Sequence, residues 1–229
     1  MPVSMRIVAV IPAYNEEARI AAAVADALAY VTAVVVVDDC STDRSGEMAT
    51  AAGATVLRHV INRGQGAALQ TATEYALKYL RADILVHFDA DGQMQGSDIL
   101  NLVVPIMRGD VDVVLGSRFL GTKAENMPLV RRWLLKAGVV FTALMSGIRV
   151  TDSQNGFRAL SRAAAEEIRI TLDRMAHASE ILDLIIVKRL RYEEQPVTIR
   201  YSAATLEKSP SNWRAFGIVK DLLKKKLVR

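Results

Sequence analysis

Asp89 and Asp91 stand one residue apart at the end of the run "ILVHFDADGQ". On an extended chain that spacing puts both carboxylates on one face, because strand side chains alternate with a period of two. Two carboxylates so placed form a hard, doubly negative oxygen site for a divalent cation such as Mg²⁺ or Mn²⁺, with substrate phosphate and water filling the other positions. A cation there acts as a Lewis acid on charge developing at a phosphate leaving group. Taken alone, the pair reads first as a turn or a helix cap, both of which favour aspartate.

Three other stretches have chemistry-bearing residues after an apolar run. "IPAYNEE" supplies Pro12, Tyr14, Asn15 and Glu16. "VVDDCSTD" supplies Asp38 and Asp39, able to accept from a base or a ribose hydroxyl, with Ser41 or Thr42 as cap and Asp43 near the start of a helix. "NRGQGAAL" supplies Asn62, Gly64 and Gly66, glycines whose free N–H groups can approach a phosphate or a ring edge. That last stretch does not complete G-x-G-x-x-G, since Leu69 occupies the third glycine position, and no P-loop sequence exists anywhere. Dinucleotide oxidoreductases and P-loop NTPases are therefore disfavoured.

These residues fall at the ends of short β-branched runs, "RIVAVI", "AVVVVD", "ATVLRH", "ILVHFD" and "VDVVLG", which alternate with helical stretches at 16–29, 43–52, 67–79 and 97–107. Such alternation predicts a mostly parallel sheet flanked by helices, an α/β class. Ligands of open α/β sheets bind beyond the carboxyl ends of the strands, which is where the polar residues lie. After Arg118 the rhythm changes to an amphipathic helix near 130–146, a short strand "GFRALS", helices near Ala163 and Ile181, and the run "QPVTIRY". One domain over 1–229 is expected, with 1–118 as a doubly wound α/β unit and 119–229 as a lid or acceptor region built on the same sheet and ending in a basic helix.

The composition sets outer limits. The chain has 229 residues, 51 % of them hydrophobic, enough for a real core. Its net charge of +4 is far from a nucleic-acid signature, and no nucleic-acid partner is expected. A single cysteine, Cys40, rules out an intrachain disulfide and a cysteine zinc site. His59, His87 and His177 are scattered and read as structural, and without H-E-x-x-H or G-x-S-x-G the zinc and serine hydrolases lose support. No secretion signal is read at the start, and the longest uncharged apolar stretch, 137–148, is too short to span a bilayer. That segment with Arg131, Arg132 and Trp133, together with the tail's Lys224, Lys225 and Lys226, suggests peripheral attachment at the cytoplasmic membrane surface. A packed or homodimeric role for the apolar side is the alternative.

Taken together, "IPAYNEE", "VVDDCSTD", "NRGQGAAL", "FDADGQ", "GSR" and "DSQNGFRAL" resemble the inverting GT-A glycosyltransferases of family 2, in the branch of the dolichol-phosphate and polyprenyl-phosphate sugar synthases. The resemblance implies a GT-A fold, a nucleoside diphosphate sugar donor of the GDP-mannose or UDP-glucose type, a polyprenyl phosphate acceptor, and Mg²⁺ or Mn²⁺. It implies that Asp89, Asp91 and Gln93 hold the metal and that Pro12, Tyr14, Glu16 and Asp39 hold the nucleotide sugar, with Asn62, Gly66 and Ala90 beside them. Arg118, Arg131, Arg132, Arg200 and Lys208 are implied to face phosphates. Asp152, Asn155, Gly156 and, more loosely, Arg158 are implied to shape the sugar and acceptor pocket. For a hydroxyl acceptor Asp152 would be the general base. The Q-x-x-R-W motif of processive synthases is absent, so a single addition is expected.

Overall fold

Residues 5–120, 147–172 and 176–200 are described by the structure, a computed structural model of the chain. Seven strands form one sheet: β1 (Ile7–Ala13), β2 (Ala33–Asp38), β3 (Thr55–Arg58), β4 (Ile84–His87), β5 (Val113–Ser117), β6 (Arg158–Ser161) and β7 (Tyr192–Pro196). Their spatial order is β3-β2-β1-β4-β6-β5-β7. The pairs β1–β2, β2–β3, β1–β4 and β5–β7 are parallel. β6 runs antiparallel to both β4 and β5, so one reversed strand is set into an otherwise parallel sheet. The mostly parallel α/β architecture read from the alternation is the one observed.

Helices cover both faces. On one side α1 (Ile20–Leu28) and α4 (Ile99–Met107) bury Ile20, Val24, Leu102 and Ile106 against Ile11, Val36 and Val86. On the other, α3 (Gln65–Lys78), α5 (Arg162–Glu167) and α6 (His177–Val187) bury Ala68, Ala72, Ala76, Ala164, Ile181 and Ile185 against Val8, Val10, Val35 and Leu85. The period of two decides the assignment: Ala9 and Ile11 join the first layer, Val8 and Val10 the second. A strand buried on both faces must be apolar throughout, which is why β2 reads "AVVVV" with no polar residue before Asp38. Each fully buried valine or leucine stabilises by about 1.5–3 kcal/mol. The strands can therefore bear polar residues at their ends without losing the sheet.

Three boundaries differ from the sequence-based expectation. Glu16–Arg19 forms a turn, in which Glu16 O accepts from the backbone N–H of both Arg19 and Ile20, so α1 begins at Ile20. α2 (Ser45–Ala51) begins after Asp43, whose carboxylate takes the Ser45 N–H and hydroxyl; neither Ser41 nor Thr42 caps it. The seventh strand is "YEEQP", upstream of most of "QPVTIRY". β7 lies at the sheet edge, where charged residues are tolerated and apolar alternation is not required.

Candidate active site

Ile84, Val86, Phe88 and Ala90 all belong to the first core layer, and Phe88 meets Phe157 edge-on at a ring separation of 5.4 Å. Ala90 is thus an anchor, and its two neighbours Asp89 and Asp91 are left beside the mouth of the sheet. Gln65 Nε2, at the start of α3, donates to Asp89 Oδ1 at 3.1 Å. A Cβ on Gly156 would lie 3.2 Å from Asp89 Oδ2, so the glycine leaves that oxygen room. Asp91 Oδ1 accepts from Gln93 N at 2.9 Å, around a left-handed Gly92.

The loop that follows is tied on both sides. Asp26 Oδ2 accepts from Gly96 N at 2.7 Å, and Asp98 Oδ2 from Thr198 N at 2.7 Å. Gln93 O accepts from Arg200 N at 2.9 Å, and Met94 bridges Ile199. Gln93 and Arg200, both expected in the site, are therefore backbone neighbours.

Burial raises Asp89 to about 7, and the nearby Asp91 pushes the same way; Arg158 and Gln65 only partly oppose them. Asp91 is also raised, chiefly by burial. Two carboxylates that resist ionisation side by side are short of positive charge, and a divalent cation supplies it. The two carboxylates offer hard oxygen donors of the kind Mg²⁺ or Mn²⁺ takes, and Gln93, whose backbone N–H is bound to Asp91, stands next to them. Among the described residues no group of three or more His, Cys, Asp or Glu side chains is placed to hold a metal ion by itself. The remaining positions would belong to substrate or water.

The first two strand-end loops interlock. Asn15, in the left-handed region, donates its N–H to Ser41 Oγ at 3.0 Å, and its Oδ1 accepts from Thr42 N at 2.9 Å. Glu16 N donates to Ser45 Oγ at 2.7 Å, and Glu17 N to Asp43 Oδ2 at 3.1 Å. Glu16 also pairs with Arg19 at 2.9 Å, on the wall of a cleft lined by Asn15, Glu17, Asp43 and Met48. Tyr14 is exposed beside it, and Pro12 lies beyond Val10, the last β1 residue paired with β4, where its missing N–H breaks no ladder on that side.

The adjacent aspartates at the end of β2, Asp38 and Asp39, separate in role. Asp38 is fully buried, accepts from Ser41 N at 2.8 Å and lies 3.6 Å from Arg58 Nη1. Asp39 faces the third loop: its Oδ1 meets Arg63 N at 2.9 Å and His59 Nδ1 at 2.7 Å, and its Oδ2 meets Gly64 N at 2.6 Å. Asn62 is exposed alongside. Gly66 is buried, and a Cβ there would lie 2.0 Å from the Leu172 carbonyl, so the close approach this glycine permits is to the loop before α6. Consecutive residues Gly64 and Gln65 thus touch Asp39 and Asp89, joining the second and fourth strand ends.

Arg118 and Asp152, expected as separate functional groups, form one buried pair. Arg118 Nε donates to Asp152 Oδ2 at 2.6 Å, Nη2 to Oδ1 at 2.7 Å, and the Arg118 N–H to Oδ2 at 3.1 Å. Asp152 Oδ1 also takes the Gln154 N–H at 3.3 Å. Glu194 on β7 holds the preceding residue, accepting from Thr151 N at 2.8 Å. Both Asp152 oxygens are thus engaged, an arrangement that suits holding a guanidinium in place.

Asn155 Oδ1 accepts from Phe157 N at 3.1 Å, and its backbone carbonyl takes Arg158 Nη2 at 2.7 Å. Arg158 is only 1 % exposed, directly opposite His87 across the β4–β6 ladder. Burial lowers it to about 10 against the pull of Asp89 and Asp152, so it remains a cation beneath the carboxylates. The same burial, with Arg158 and His177 nearby, holds His87 well below the usual histidine range and therefore neutral. Arg131, Arg132 and Lys208 lie outside the described residues. Sequence reasoning missed Gln65, Glu194 and the contact between His59 and Asp39. Arg158, named more loosely from the resemblance, is the buried cation at the start of β6.

The model of the family described as "Glycosyl transferase family 2" matches residues 8–169. An uncharacterised protein of Methanocaldococcus jannaschii is 37 % identical over 224 residues, covering 95 % of this chain and 91 % of its own length. A UDP-N-acetylglucosamine–dolichyl-phosphate N-acetylglucosaminyltransferase of Methanococcus voltae is 30 % identical over 240 residues, covering 95 % of each. Among solved structures, a Mycobacterium tuberculosis glucosyl-3-phosphoglycerate synthase in complex with Mn²⁺ and UDP-glucose superposes with a TM-score of 0.66 at 21 % identity, over 89 % of this chain and 74 % of that one. At that identity the likeness shows the shared fold.

Proposed function

The chain belongs to glycosyl transferase family 2 and is a glycosyltransferase, and on that premise we propose that it moves one hexose from a nucleoside diphosphate sugar to a polyprenyl phosphate, with inversion. The name of the Methanococcus voltae relative supports this acceptor class, and so does that of a Pyrococcus furiosus dolichol-phosphate mannosyltransferase, 31 % identical over 72 % of this chain and 49 % of its own. One observation carries the choice between acceptors. Asp152, a carboxylate that a hydroxyl acceptor could use as its base, is held on Arg118 by two short hydrogen bonds. A sugar or protein hydroxyl must lose its proton to attack, whereas a phosphate monoester is already anionic near neutral pH. Among the described residues Asp152 is thus engaged by an arginine, an arrangement that suits the phosphate.

In this reading Asp89 and Asp91, with Gln93, hold Mg²⁺ or Mn²⁺, which when bound neutralises charge on the departing diphosphate. Pro12, Tyr14, Glu16, Asp39, Asn62, Gly66 and Ala90 form the donor side. Arg118, Asn155 and Arg200, with Arg131, Arg132 and Lys208, form the acceptor side. The Arg118–Asp152 pair fixes the guanidinium, so its charge needs no rearrangement as the phosphate oxygen approaches the anomeric carbon. The lipid acceptor brings the chain to a membrane surface; among the described residues no helix is long and apolar enough to cross one.

Release of nucleoside diphosphate from UDP-glucose, UDP-N-acetylglucosamine and GDP-mannose tests the proposal, each with Mn²⁺ and with or without polyprenyl phosphate. One donor should be turned over, and only with the lipid phosphate present. Equal turnover with an alkyl glucoside in its place would restore the hydroxyl-acceptor reading.

A further inference from the structure

His59 follows β3, a four-residue strand on the sheet edge, and precedes the exposed Val60 and Ile61. The His59 side chain is itself only 10 % exposed. Its ring sits between two elements of the site: Nδ1 lies 2.7 Å from Asp39 Oδ1 and Nε2 lies 3.0 Å from Thr71 Oγ1 on α3. Its backbone N–H donates to Asp38 O at 2.9 Å, and Thr71 Oγ1 also lies 2.9 Å from Ala67 O in its own helix.

We propose that His59 is a positioning residue of the donor site, holding Asp39 in the orientation from which it contacts the nucleoside. The proposal rests on the reading of Asp39 as a donor contact. A carboxylate offers about four acceptor directions, two on each oxygen. On Asp39 Oδ1 both are taken, by His59 and by Arg63 N; on Oδ2 one is taken, by Gly64 N. A single direction on Oδ2 is left for a nucleoside donor group, and its aim depends on Oδ1 being held.

The backbone amides of Arg63 and Gly64 come from a loop in which Gly64 has φ of 95°, so they hold Asp39 only while that loop keeps its shape. The histidine ties the carboxylate to the body of α3 instead. The chain of contacts continues, because Gln65, next to Gly64, reaches Asp89. His59 therefore fixes the nucleoside end of the donor relative to the metal carboxylates, without touching the reacting atoms.

Calorimetric titration of UDP and of GDP in the presence of Mn²⁺, with donor kinetics and thermal melts of the same full-length proteins, tests this. His59→Phe keeps a ring and removes both hydrogen bonds. It should weaken nucleotide binding and raise the donor KM by about tenfold, the loss expected for one charge-assisted hydrogen bond, with kcat near that of wild type. His59→Asn, which keeps a donor toward Asp39, should recover most of the affinity. A histidine that merely packs would lower the melting temperature and leave Kd unchanged, and that result, with Asp39→Ala still weakening binding, overturns the proposal. If Asp39→Ala also binds as wild type, Asp39 is not a donor contact and both ideas fall. Should His59→Phe not fold, Thr71→Val carries the test: it releases Nε2 and leaves Asp39 untouched. A loss of roughly twofold to threefold supports the proposal, and an unchanged Kd overturns it.

Discussion

Replacing Asp152 with asparagine separates a structural ion pair from a catalytic base. Asp152 and Arg118 are almost fully buried, with side chains 1 % and 8 % exposed, and are joined at 2.6 and 2.7 Å. Removing one member of such a pair typically costs about 3–5 kcal/mol, because the other charge stays in a low-dielectric surround without its counter-ion. For a domain of this size that is roughly 6–20 °C in melting temperature. Asp152→Asn should therefore unfold at markedly lower urea, measured by circular dichroism at 25 °C. The double variant Arg118→Met, Asp152→Leu should regain much of the loss, since an apolar pair leaves no buried charge behind. A base would behave otherwise, with stability kept and kcat alone falling by about 10²–10⁴-fold. An Asp152→Asn protein as stable as wild type but inactive would refute the structural pairing, and with it the case for a phosphate acceptor.

Asp89 is raised to about 7 in the folded chain, so the fold binds its proton more tightly than the unfolded chain does. Its contribution to stability is thus present at low pH and lost as pH rises from about 4 through about 7. Mn²⁺ with nucleotide should accordingly raise the melting temperature more at pH 8 than at pH 6; equal gains would contradict the metal assignment. Gly66→Ala forces a methyl to within 2.0 Å of the Leu172 carbonyl. A loss of about 1–3 kcal/mol in urea unfolding is expected from that overpacking, and an unchanged midpoint would show that the loop before α6 yields freely. The tail lysines Lys224, Lys225 and Lys226 should add on the order of 1 kcal/mol each to binding of anionic vesicles. Co-sedimentation that survives their change to Glu, or that never occurs at low salt, counts against membrane attachment.

Local signals sufficed for much of this molecule. Valine runs buried on both faces marked β1, β2 and β4, and a polar residue after each marked the mouth of the sheet. The Asp89 and Asp91 spacing taken alone reads as a turn, and Ala90 and Asp91 do lie in a turn after β4, so their reading as a metal pair came from the resemblance and not from the local pattern. What escaped depends on chain separation. His59 meets Asp39 from 20 positions away, and Arg118 meets Asp152 from 34, contacts with no local pattern to announce them. β7 had no local signal, because an edge strand needs no apolar alternation and "YEEQP" shows none. The reversed entry of β6 between β4 and β5 was likewise invisible, since an antiparallel strand has the same composition as a parallel one.

Transfer itself is the most direct measurement. Wild-type chain and Asp91→Asn would each be given labelled UDP-N-acetylglucosamine, UDP-glucose or GDP-mannose with dolichyl or undecaprenyl phosphate vesicles and Mn²⁺, and the label extracted into organic solvent. For one donor the account predicts label in the lipid fraction with wild type, abolished by EDTA and restored by Mn²⁺. Asp91→Asn, folded by circular dichroism, should give almost none, having lost one ligand charge at the metal. Undiminished lipid labelling by Asp91→Asn in EDTA, or label appearing only on a hydroxyl acceptor, would contradict it.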